Sequence, residues 1–193
     1  MRFSADAGAK NRSEVNMAHN HFQTGYIQVY TGNGKGKTTA AVGVSVRAVA
    51  SGMKVFFGQF MKNTPSSEHI IFAAYPQYVN LMQFGSGKFV RGKPDAEDFE
   101  KAAAGWGHCK NALQSGLYDL VALDELNTAL KFGLLPVEEV VETLRLKPAQ
   151  TEVIITGRGA PEEIINIADL VTEMKEVKHY FMKGVGARRG IEE

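Results

Sequence analysis

The run Thr31-Gly-Asn-Gly-Lys-Gly-Lys-Thr-Thr39 constrains this chain more than any other stretch. Before it, Tyr26 to Thr31 alternates like a strand. After it, Lys37 to Ser51 is small and apolar (Ala40, Ala41, Val42, Val44, Val46, Ala48, Val49), which predicts a helix buried on most sides against a sheet. Glycines at such a turn let backbone N–H groups converge on an anion; the lysine neutralises it, and the hydroxyl that follows reaches a divalent metal. The positive end of the helix adds to the attraction. Gly32, Asn33, Gly34, Lys35, Gly36, Lys37, Thr38 and Thr39 are therefore the candidate phosphate cradle, a P-loop. The usual G-x-x-x-x-G-K-[ST] spacing would open with glycine at position 31, where this chain has Thr31; Gly32 and Gly34 supply the flexibility instead.

The rest of the chain repeats the strand–helix rhythm. Strands are expected at Lys54–Met61, Val79–Phe84, Leu117–Leu123 and Glu152–Thr156, with an edge strand at Leu170–Met174. Helices are expected at Asp95–Ser115, at Pro136–Leu144 with proline in the first position, and from Pro161 to Ala168. This pattern reads as one α/β domain over residues 25–193, a P-loop NTPase-like three-layer fold with a mostly parallel central sheet. Residues 1–24, polar and without periodicity, read as a mobile tail; Met17 is an alternative start, and His19 and His21 read as solvated.

Composition narrows the partners. Lys plus Arg number 22 and Asp plus Glu 21 in 193 residues, a net charge of +1, so no electrostatic footprint for nucleic acid exists. One cysteine, Cys109, excludes an internal disulfide and fits a reducing compartment; no window is long and apolar enough for a bilayer. The expected setting is cytoplasmic, without membrane partners.

A P-loop needs an acid at the end of a neighbouring strand to hold its metal. Leu120-Val-Ala-Leu-Asp124-Glu125 delivers two carboxylates to the carboxyl edge of the sheet, so Asp124 and Glu125 join Thr38 as candidate metal residues. Neither the N-K-x-D guanine motif nor the L-S-G-G-Q transporter signature is present, which leaves an ATP-like triphosphate with Mg²⁺ or Mn²⁺.

Tyr30 to Ala41, Leu123-Asp-Glu-Leu126, Val153-Ile-Ile-Thr-Gly-Arg-Gly159, Val177-Lys-His179 and Gly190-Ile-Glu192 together resemble the P-loop family of ATP:corrinoid adenosyltransferases, and the likeness spans residues 26–193. The resemblance implies that Co(I) of a corrinoid attacks the 5′ carbon of ATP and releases triphosphate. Cobalt(I) is itself the nucleophile, so the protein's share is positioning, charge stabilisation and exclusion of water. It also implies that Asn33 through Thr39 cradle the triphosphate, that Lys37 neutralises it, and that Thr38 with Glu125 holds the metal, Asp124 being a direct or an indirect support. A homodimer and an electron donor such as a reduced flavoprotein follow from the family alone.

The resemblance further assigns the loop Phe84-Gly-Ser-Gly-Lys-Phe89-Val-Arg91 to the underside of the corrin, with Phe89, set among Gly, Lys and Arg, as the residue that helps displace the lower cobalt ligand; Phe84, at the end of an expected strand, reads as core. Arg158, after a strand end, is either a phosphate or corrin contact or a turn stabiliser. Arg47 is expected to face the nucleotide or pair with an acid. Trp106, His69, His108 and His179 read as structural or surface residues. The rival functions are a small-molecule kinase or ATPase on the same fold, and a non-catalytic ATP-responsive corrinoid-binding module.

Overall fold

The computed structural model describes residues 21–86 and 93–192. Its sheet is built from β1 (Ile27–Thr31), β2 (Val55–Phe60), β3 (Val79–Phe84), β4 (Leu120–Asp124), β5 (Glu152–Thr156) and β6 (Leu170–Glu173). All pairings are parallel, in the order β3-β2-β4-β5-β1-β6. Six helices cross between them: α1 (Lys37–Ala50), α2 (Ser67–Ala73), α3 (Ala96–Gln114), α4 (Leu126–Lys131), α5 (Val137–Arg145) and α6 (Glu162–Ile167); a 3₁₀ turn covers Tyr180–Lys183. The expected strands and their parallel sense are all present. Helices α2 and α4 and the 3₁₀ turn were not anticipated.

The helices form two layers. On one face, α1 and α2 bring Ala41, Ala48 and Phe72 against Tyr30, Phe57, Ala122 and Ile154. On the other, α3 to α6 pack Trp106, Leu113, Val140, Leu144 and Ile164 against Val29, Phe56, Phe60, Leu123 and Ile155. A parallel sheet covered on both faces has near-continuous apolar strands, and β2 is buried at every position, Val-Phe-Phe-Gly-Gln-Phe. The one polar side chain in that run, Gln59, has no exposed surface.

Helix α1 corrects the expectation of burial on most sides. Only Lys37, Ala41, Ser45 and Ala48 are buried, while Val46 is 44% exposed. The helix lies in an outer layer, so its small residues serve close approach to the sheet on one stripe alone. Arg47 is exposed in the last turn, roughly 15 Å along the helix from the loop, too far to face a nucleotide there. Pro136 caps α5 from outside rather than opening it.

Two glycines let α3 seat on the sheet. A Cβ on Gly105 would lie 2.3 Å from Phe84 Cγ, and one on Gly58 would lie 3.1 Å from both Cys109 Sγ and Phe84 Cε2. Phe84, core as expected, also stacks on His108 at 5.9 Å between ring centroids. Trp106 is core and donates its indole N–H to Glu139. Burial pushes the Cys109 thiol far above its ordinary range, which makes it a packing residue. Gly105→Ala should therefore cost about 1–3 kcal/mol by overpacking against Phe84, read as a lower denaturant midpoint at unchanged slope.

Candidate active site

The carboxyl ends of β1, β2, β4 and β5 define one edge of the sheet, and the candidate residues gather there. Thr31 remains in β1, and its Oγ1 accepts the Ala160 N–H at 3.2 Å. The turn falls to Gly32, with φ of 95°, whose Cβ would sit 2.4 Å from the Met174 carbonyl. No side chain fits that approach, so Gly32 takes the role that the usual spacing gives to position 31. Gly34 donates its N–H to the same carbonyl at 2.7 Å. Gly36, at φ of 115°, then leads into α1. Asn33 and Thr39 are exposed, and Thr38 is half-buried.

Lys37 is folded back onto its own loop. Its ammonium donates to the Gly32 carbonyl at 2.9 Å and the Gly34 carbonyl at 2.7 Å. Burial lowers its pKa, and Arg158 adds to this, while the charges of Glu125 and Asp124 act in the opposite sense. A lysine held this way is a poised counter-ion for an anion of higher charge than two carbonyl dipoles.

Asp124 has no exposed surface. Its Oδ1 accepts the hydroxyls of Thr38 at 2.9 Å and Thr156 at 2.6 Å. Its Oδ2 accepts Gln59 Nε2 at 3.1 Å and Lys62 Nζ at 2.9 Å. Four donors fill the roughly four lone-pair positions of a carboxylate. Burial alone would lower the Lys62 pKa, but the charge and hydrogen bond of Asp124, with Glu68 and Glu125, raise it on balance.

Glu125 leaves β4 in a left-handed conformation, φ of 59°, shared among non-glycine described residues only with Met61 at 58°. Its N–H is held by Thr156 Oγ1 at 3.0 Å, and one carboxylate oxygen accepts the Thr128 hydroxyl. That hydroxyl also receives the Arg158 N–H at 3.0 Å, so the Gly157-Arg158-Gly159 turn is tied to the acid of the next strand. The Arg158 guanidinium is exposed on this edge.

The C-terminal segment reaches the loop from the other side. Glu192 accepts from Lys35 at 2.8 Å and Arg188 at 3.0 Å, and pairs with the Tyr180 hydroxyl. Gly190, Ile191 and Glu192 line a cavity of about 570 Å³ together with Thr38, Thr39, Met61, Lys62 and Glu68. Phe89 lies outside the described residues. His69 and His179 both act as helix caps through Nδ1, as structural residues should.

Sequence reasoning thus placed Lys37, Thr38, Asp124, Glu125 and Arg158 on one edge, but missed Gln59, Lys62, Thr128 and Thr156 as their partners, and Glu192 as the partner of Lys35. A glutamine inside an otherwise apolar strand, and a threonine closing another, were the available signals.

These features define a P-loop protein of the parallel α/β class. Over residues 23–192 the sequence matches the family described as ATP:corrinoid adenosyltransferase BtuR/CobO/CobP. A corrinoid adenosyltransferase of Salmonella typhimurium is 40% identical over 184 residues, 95% of this chain and 93% of that one. One from Pseudomonas aeruginosa is 40% identical over 171 residues, covering 88% and 84%. One from Escherichia coli is 40% identical over 184 residues, covering 95% and 93%. The chain belongs to the ATP:corrinoid adenosyltransferase family.

Two outcomes follow from the geometry. Thr156→Val removes a buried hydroxyl that serves Asp124 and the Glu125 N–H at once, and should lower stability by about 1–3 kcal/mol in chemical denaturation. The Glu192 carboxyl is held well below its ordinary 4.5, chiefly by Arg188, then Lys35 and Tyr180. Its folded pKa is depressed, so its contribution is present above that ordinary value and is lost as pH falls below it. Relative to the intrinsic exchange rate at each pH, protection of the amides at 186–192 should fall on acidification before that of the sheet, and Glu192→Gln should give the same lowered protection at neutral pH.

Proposed function

We propose that this chain transfers the 5′-deoxyadenosyl group of ATP to Co(I) of a corrinoid. The cobalt electron pair attacks ribose C5′; the cobalt–carbon bond forms as the C5′–O bond breaks, and triphosphate leaves with the bonding pair. The observation that carries the reading is the family match across residues 23–192, joined to a phosphate loop whose Lys37, Thr38 and neighbouring acids stand on one edge.

The residues then divide the work. Gly32 through Thr39 cradle the triphosphate, and Lys37 exchanges the Gly32 and Gly34 carbonyls for phosphate oxygens. Arg158 presents a second cation from the neighbouring turn. Thr38 and Glu125 suit a hard divalent ion, Mg²⁺ or Mn²⁺: one supplies a hydroxyl and the other a carboxylate, while water and triphosphate complete such sites. Among the described residues no group of three or more His, Cys, Asp or Glu could hold a metal ion. When bound, the ion lowers the charge on the leaving triphosphate. Asp124, already holding four donors, supports the site indirectly by aiming the Thr38 hydroxyl.

Phe89 is assigned the face beneath the corrin, where an apolar side chain disfavours the lower cobalt ligand. A homodimer, a reduced flavoprotein as electron donor and a cytoplasmic setting complete the reading. No described helix is long and apolar enough to cross a membrane.

Protein mixed with ATP, Mg²⁺ and chemically reduced cob(I)alamin without oxygen should convert the corrin spectrum to that of a photolabile adenosylcorrinoid, with one triphosphate per turnover. Lys37→Ala should slow this by about 10²-fold or more, and Glu125→Gln should weaken the metal dependence. ADP formed over an unchanged corrin spectrum would overturn the reading in favour of a kinase or ATPase.

A further inference from the structure

The cation that meets Asp124 does not come from the phosphate loop. Lys62 follows β2 after Met61, whose φ of 58° turns the chain back over the sheet edge. That turn is fixed from the neighbouring strand end: a Cβ on Gly85 would lie 2.5 Å from the Lys62 nitrogen and 2.6 Å from the Met61 carbonyl carbon. Backbone strain of this kind persists only where the surroundings impose it. Its result is an ammonium 2.9 Å from Asp124 Oδ2, on the wall of the 570 Å³ cavity that also holds Thr38 and Glu68.

Lys62 also stands among several acids. Gln59 Nε2 bridges Asp124 Oδ2 and Glu68 Oε1, both at 3.1 Å, which brings Glu68 beside the pair. The third, Glu125, acts on Lys62 through its charge. Removing the ammonium would strip a fully buried carboxylate of its direct ion-pair partner and leave only the charge of Lys37 acting on it without a hydrogen bond, beside a cavity large enough for a hydrated ion. An unpaired buried charge is strongly unfavourable and is relieved by a proton or by another cation that can reach it.

We propose that Lys62 is a positioning residue that occupies the Oδ2 side of Asp124 as a built-in counter-ion, so that a divalent ion enters this edge only together with the triphosphate. The inference rests on the phosphate-site reading above. It explains why a loop with a nearby aspartate need not collect free metal: Oδ1 aims Thr38, Oδ2 belongs to Lys62, and what remains for an ion is the Thr38–Glu125 side with the nucleotide's own oxygens.

Free Mn²⁺, followed by its solution EPR signal, tests this on the full chain. Wild type should bind Mn²⁺ weakly alone and readily as its ATP complex. Lys62→Met should bind Mn²⁺ alone at least about tenfold more tightly, since the ion replaces the missing ammonium at Asp124. Lys62→Arg should behave as wild type, and Lys62→Met with Asp124→Asn should lose the gain. If Lys62→Met does not fold, Lys62→Gln makes the same comparison. A folded Lys62→Met or Lys62→Gln with wild-type affinity for Mn²⁺, or a gain that survives Asp124→Asn, overturns the proposal. Failure of wild type to bind Mn²⁺–ATP at all would instead overturn the phosphate-site reading.

Discussion

At the carboxyl edge of the sheet, the buried carboxylate of Asp124 draws one donor each from α1, β2, the turn after β2 and β5. A charge without solvent is tolerable only with excellent geometry and a complete set of partners. The sheet supplies both. Gln59 is the register partner of Asp124 across β2 and β4, and Leu123 pairs with Ile155, which places Thr156 at the level of the acid. Strand register, helix placement and loop conformation are thereby coupled through one side chain. A slip of β4 by a single residue would turn Asp124 to the opposite face and break all four bonds.

The phosphate loop is kept in shape by partners inside the chain. Lys37 holds two loop carbonyls, Met174 accepts the Gly34 N–H, and Glu192 holds Lys35. Ligand binding is then an exchange of bonds. On the function proposed above, the exchange at Lys37 favours a triphosphate, because burial has already removed much of its water and the incoming oxygens carry full charge. The segment after β6 therefore belongs to the loop's support even though some 140 residues separate them in sequence.

Much of this was legible beforehand, for a reason that can be named. Parallel strands buried on both faces leave short unbroken apolar runs, as in Leu120–Leu123 and Val153–Ile155, and these runs stand out from any background. The loop was legible because glycine, lysine and hydroxyl occur there in a fixed order. What escaped were features set by neighbours distant in sequence. Gln59 and Thr156 look like ordinary polar residues until the register places them around Asp124. Helix α1 looked buried on most sides because composition does not tell which stripe of alanines and valines meets the sheet. Helix α4 begins only because Glu125 adopts a left-handed turn held by Thr156 and Thr128, which no local pattern announces.

The two acids at the end of β4 look equivalent in sequence, and the fold makes them different. Asp124 still lies in the strand plane, facing its neighbours β2 and β5, so its four lone-pair positions are consumed within the protein. Glu125 is rotated out by its positive φ and keeps one oxygen on Thr128, while its charge acts on Lys37 of the loop. A reaction whose nucleophile is the substrate's own Co(I) asks no proton transfer of either acid. It asks for charge held in fixed places while triphosphate departs; on the proposed reading the internally paired acid fixes the Thr38 hydroxyl, so that the exchange of bonds at Lys37 is the local change the site has to make.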